Sequence, residues 1–149
     1  MRRALILAVM LTFASTATAQ LPGLRKRGPA SPAQPVLQGI DALRADFAAQ
    51  SGGTTVYFGA ANVGLTVPAR TVLAAQAAWL RRHPEVVVRI EGYGDAGDTR
   101  DHALAVGARR AEEARSYLVL LGVPAAQLSS TSWGKERPGL GRAVTILVR

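Results

Sequence analysis

Cysteine is absent from all 149 residues. That excludes disulfides, metal sites built on thiolates, a cysteine nucleophile and a lipid-modified cysteine, and leaves the core to hold by packing alone. Lysine is nearly absent too, with only Lys26 and Lys135, so the positive charge is carried by arginine. Histidine occurs twice, at His83 and His102, far apart and without HExxH spacing. No GxSxG is present, and the glycines of GYGDAGD do not match a phosphate-binding loop. With neither a nucleophile nor a metal set, the chain reads as a non-enzyme that needs no cofactor. Long apolar runs are also scarce. The one that exists, Ala4 to Ala14, is about eleven residues, short of the roughly twenty that span a bilayer as a helix.

That run belongs to MRRALILAVMLTFASTATAQ, which has two arginines, an apolar centre and a small-x-small end at Ala17-Thr18-Ala19. The layout is that of a secretory signal peptide over residues 1–19, cleaved before Gln20, and the mature chain is expected outside the cytoplasm with no transmembrane segment. Eighteen Lys plus Arg against ten Asp plus Glu give a formal charge of +8. A basic balance suits nucleic acid, anionic lipid or an anionic polymer, and export sets nucleic acid aside. Residues 20–38 carry four prolines and the cluster Arg25-Lys26-Arg27, and read as an extended linker. Residues 39–53 read as a short amphipathic helix, from the spacing of Ile40, Leu43 and Phe47, closed by Ser51-Gly52-Gly53.

The compact domain is placed at 54–149. TTVYF from Thr54 is β-branched and aromatic, a strand. Pro68 opens a helix that presents Val72, Ala75, Trp79 and Leu80 on one side, and Pro84 closes it. VVVRIEGY, from Val86 to Tyr93, is a second strand. A long helix over 99–121 follows, with Leu104, Ala108, Ala111, Leu118 and Leu121 as its apolar positions, Asp98 as its N-cap and Gly122 as its stop. Strands near Leu128–Trp133 and at AVTILV finish the chain. The order β-α-β-α-β-β predicts an α+β fold: a mixed sheet with both long helices on one face, the first two strands parallel and the last two antiparallel.

Among polar residues, Asp95 and Arg110 attract interest. Asp95 follows the second strand in a glycine-punctuated turn, and Arg110 lies in the helix behind it. A carboxylate and a planar guanidinium fork suit a zwitterionic ligand, one group taking the ammonium and the other the carboxylate. The same spacing suits a direct ion pair equally well.

The stretch GYGDAGDTRDHALAVGARRAEEARSYLVLLGVPAAQL resembles the OmpA/Pal-like peptidoglycan-binding domain. Asp95, Arg110-Ala111, Tyr117-Leu118 and Gly122-Val123 fall on that family's pattern, and SWGKERP looks like its S-Y-G-K-E-x-P. The resemblance implies a periplasmic domain associated with the outer membrane or wall. Such a domain grips the diaminopimelate of the stem peptide without covalent chemistry, with Asp95 and Arg110 holding the ligand's charged end. FGAANVG lacks the family's acids after the first strand, and Tyr93 stands where the family has histidine. The short GLGR leaves Arg142 of the family's N-R-R and puts Gly141 in place of its first arginine. The alternative carried by these departures is a degenerate OmpA-like module that docks an envelope protein or anionic surface.

Overall fold

The computed structural model describes residues 34–137 and 140–149. The expected signal peptide, most of the expected linker and residues 138–139 lie outside these residues. Element order is α1 (Gln34–Gln50), β1 (Thr55–Tyr57), α2 (Val67–Arg82), β2 (Val88–Tyr93), α3 (Arg100–Leu120), a 3-10 turn (Ala125–Gln127), β3 (Leu128–Gly134) and β4 (Ala143–Val148). The sheet order is β1-β4-β2-β3. Strand β4 runs antiparallel to both β1 and β2, whereas β2 and β3 are parallel. It follows that β1 and β2 point the same way and β3 and β4 oppositely, as expected, with β4 inserted between the first two strands.

The register puts Val88, Ile90 and Gly92 of β2 on the same face as Val148, Ile146 and Val144 of β4. This face carries one core cluster with Leu73, Ala77 and Leu80 of α2 and Ala111, Ala114 and Leu118 of α3. Both long helices therefore cover a single face. Arg89, Glu91 and Tyr93 alternate onto the other face, since side chains along a strand change sides at every residue.

Three expectations need correction. Helix α1 starts at Gln34, five residues before the expected Gly39. Pro35 lies in its first turn, where a proline is tolerated because its missing N–H has no partner to lose. The helix is also part of the core: Phe47 is buried edge-on to Trp79, and the Trp79 indole donates to Asp46 at 2.7 Å. Second, the N-cap of α3 is Thr99, whose hydroxyl accepts from the His102 N–H at 3.3 Å, and not Asp98. Asp98 instead offers its carbonyl to Lys135 at 2.6 Å.

Third, the buried stripe of α3 is Ala103, Val106, Gly107, Arg110, Ala111, Ala114 and Leu118, while Leu104 is 48% exposed. A Cβ on Gly92 would overlap the Gly107 carbonyl, and one on Gly94 would overlap the Ala103 backbone. Helix α3 thus lies directly on the β2 backbone, and small side chains, not the most apolar ones, occupy the contact. Helix α2 shifts similarly, with Val72 and Ala75 half-buried beside a centre at Leu73, Gln76, Ala77 and Leu80.

Candidate functional site

The close approach of α3 to β2 brings Asp95 and Arg110 together. Strand β2 ends at Tyr93 and the chain turns through Gly94, whose N–H donates to Gly134 and whose carbonyl accepts from Arg142. This fixes Asp95 at the strand's C-terminal end, 24% exposed at the side chain. Arg110 sits below it, three turns into α3. Its Nη1 is 3.0 Å from Asp95 Oδ1, a direct ion pair.

Arg110 does more than pair with the acid. Its Nε donates to the Asn62 carbonyl at 2.9 Å and its Nη1 to the Tyr93 carbonyl at 2.9 Å. Its Nη2 reaches the Gly59 carbonyl at 3.5 Å, and the guanidinium lies over the Phe58 ring at 5.5 Å. The side chain is 0% exposed. A buried charge is tolerable only when its donors are satisfied, and here loop carbonyls and one carboxylate do so. Arg110 thereby ties the loop after β1 to the turn after β2.

Asp95 is held from a second side by the Ala61 N–H, which donates to Oδ2 at 3.2 Å. Burial pushes the Asp95 carboxyl up. The Ala61 N–H, the Arg110 hydrogen bond and the charges of Arg110 and Arg142 outweigh it and hold the pKa below the ordinary carboxylate value. Asp95 is therefore an anion at neutral pH, partly open to solvent. Arg142 completes the group. Its side chain is exposed, and its N–H donates to Gly94 at 3.2 Å while its carbonyl accepts from Phe58 at 2.7 Å. Both Ala61 (φ 52°) and Arg142 (φ 61°) adopt the left-handed region that L residues avoid, and both brace the turn of Asp95.

The three residues singled out in the sequence thus converge, Arg142 through backbone contact and charge. The contribution of the loop at 59–62 was not legible. It acts through main-chain carbonyls and one N–H, which no side-chain motif reveals. The two histidines lie elsewhere: His83 stacks on Trp79 at 3.8 Å, and His102 faces Asp98 at 3.7 Å. Among the described residues no three His, Cys, Asp or Glu side chains gather as a metal set would require.

The described residues thus form a small mixed sheet with both long helices on one face and the Arg110–Asp95 ion pair beyond a strand end. The sequence model of the OmpA family matches residues 57–143, more than half of the chain, and the chain belongs to that family. It is 41% identical over 86 residues to the peptidoglycan-associated lipoprotein of Mesorhizobium japonicum, covering 58% of this chain and 51% of that protein. The Pseudomonas aeruginosa protein of the same name is 40% identical over 99 residues, covering 66% of this chain and 58% of that one. This chain thus matches little more than half the length of those relatives. In structure it is similar to the peptidoglycan-associated lipoprotein of Burkholderia pseudomallei, with a TM-score of 0.63 and 30% identity, over 66% of this chain and 92% of that one. A MotB-like protein of Desulfovibrio vulgaris shares the fold, with a TM-score of 0.62 at 20% identity, over 78% of this chain and 91% of that one.

Proposed function

We propose that this chain is an exported cell-envelope protein that binds peptidoglycan non-covalently on the periplasmic side of the outer membrane, through the diaminopimelate of the stem peptide. The observation that carries the reading is the convergence of Asp95, Arg110 and Arg142 at one strand end, in a chain whose relatives are named peptidoglycan-associated lipoproteins. Asp95, anionic and partly exposed, takes the ligand ammonium. Arg142, exposed beside it, meets the ligand carboxylate first. Arg110 sets the field that keeps Asp95 charged, and its weakest bond, the 3.5 Å contact to Gly59, is the one a ligand carboxylate can replace when the loop yields.

The energetics suffice. A hydrogen bond to a charged group contributes roughly 1.5–3 kcal/mol. Two of them supply much of the ~6 kcal/mol that separates a 1 M reference from a contact of tens of micromolar. A polymer that presents many copies turns weak sites into firm association. No reaction is involved.

The test is co-sedimentation with purified peptidoglycan together with a meso-diaminopimelate titration followed by NMR. Saturable shifts at Asp95 and Arg142, lost in Asp95→Asn, are expected. A second reading, an interaction module for an envelope protein or anionic surface that keeps the fold without the ligand, has one observation in its favour: Arg110 is wholly buried and every nitrogen of its fork is engaged. An absence of shifts at millimolar ligand from a folded protein would select it. Surface binding through the basic cluster Arg25-Lys26-Arg27 would then fade steeply between low and physiological salt.

A further inference from the structure

The sheet face away from the helices holds a fully buried acid that the ligand site does not use. Glu91 is 0% exposed and is met from both sides by arginines: Arg89 Nη2 at 2.7 Å from Oε1, and Arg137 Nη1 at 3.0 Å from Oε2. The Tyr93 hydroxyl donates to Oε2 at 2.8 Å, and the Arg137 guanidinium lies 4.4 Å over the Trp133 ring. Burial pushes the Glu91 carboxyl up, but the Tyr93 hydroxyl, the Trp133 indole and the two arginines prevail and keep it below the ordinary value. A carboxylate buried in a central strand is costly unless it is paired, and Oε2, hydrogen-bonded by Tyr93 and Arg137, is the oxygen that is held, while Oε1 has the charge of Arg89 beside it but no hydrogen bond.

Arg137 is where this cluster leaves the sheet. It lies in the connection between β3 and β4, and its carbonyl accepts from the Leu140 N–H at 3.4 Å. Two residues beyond Leu140 stands Arg142, left-handed at φ 61°, held at the ligand site by one bond to Gly94 and one from Phe58. A non-glycine residue keeps such a backbone only where its surroundings over-determine it. Two backbone bonds fix the far end of the connection, and Glu91 fixes the near end through Arg137.

We infer that Glu91 is a positioning residue for the ligand site: acting from the opposite face of the sheet through Arg137, whose carbonyl accepts from the Leu140 N–H, it keeps Arg142 in its left-handed conformation beside Asp95. The consequence for affinity rests on the binding reading above, whereas the positioning itself does not. Glu91→Gln keeps the shape of the side chain and removes the charge that grips Arg137. Arg137→Gln removes the same contact from its solvent-facing end and serves should the buried variant fold poorly.

The experiment measures amide hydrogen exchange at Arg142 and Phe58 in the ligand-free chain, and meso-diaminopimelate affinity by NMR, in the wild type, Glu91→Gln, Arg137→Gln and each combined with Arg142→Ala. Faster exchange at Arg142 and Phe58 in both single variants is expected, with roughly three- to tenfold weaker binding. The loss of affinity disappears in the Arg142→Ala background, because the variant has nothing left to misplace. A purely structural role lowers the unfolding midpoint but leaves native-state exchange at Arg142 and affinity unchanged, and that result overturns the inference. If the wild type binds no ligand, the binding reading falls, and exchange at Arg142 still decides whether Glu91 positions it.

Discussion

Arg110 is a charged residue that behaves as core. Its three nitrogens satisfy the carbonyls of Gly59, Asn62 and Tyr93 as well as Asp95, so removing it orphans acceptors on two separate loops. Arg110→Ala is expected to destabilise the domain by about 3 kcal/mol, the lower end for breaking a buried pair because Asp95 keeps some contact with water. Urea unfolding followed by circular dichroism checks this, and a cost under about 0.5 kcal/mol would show the network to be dispensable. Loss of ligand binding in Arg110→Ala would thus mix site and stability. Arg142→Ala separates them. Its side chain is exposed, so its unfolding midpoint should stay near wild type while peptidoglycan pull-down weakens.

At the scale of elements, the contact between β2 and α3 decides whether the site exists. Gly92 faces the Gly107 carbonyl so closely that no side chain fits. Gly92→Ala should cost about 2 kcal/mol or more by forcing the helix off the strand, and should disturb the Asp95–Arg110 pair although neither residue changes. A heteronuclear NMR spectrum with unmoved Asp95 and Arg110 signals would contradict this. The same contact explains which parts of the fold were legible. Strand alternation, Pro68, Gly122 and the order of elements are local signals, and they gave the architecture. Periodicity ranks residues by hydrophobicity and so finds Ala111 and Leu118 but also picks Leu104, whereas a helix lying on backbone selects for size and buries Ala103 and Gly107 in preference to Leu104. The reach of α1 into the core was half visible, in Phe47 but not in Asp46. Phe47→Ala should cost about 3–5 kcal/mol if α1 is an integral element of the domain, and much less if it is a detachable arm.

At the scale of the whole molecule, the ionised acids sit on both sides of the sheet, and acid pH tests them together. Asp95 and Glu91 both have folded pKa values below their ordinary ones. Depressed carboxyls add stability that is complete above the unfolded value, about 4, and lost as pH falls through the folded values. The unfolding midpoint in urea should therefore hold steady from about pH 7 to pH 5 and drop below about pH 4. The chain is already basic at +8, and protonating its acids adds self-repulsion that steepens the fall in every variant. The diagnostic quantity is consequently the difference between curves. Glu91→Gln begins lower at neutral pH, since its partners have lost their anion, and should then lose less on acidification. Its curve converges on wild type only at the acid extreme, once wild-type Glu91 is itself protonated. Parallel curves, separated by a constant amount at all pH values, would mean that the Glu91 charge does not contribute to stability and that its two arginines act through packing alone.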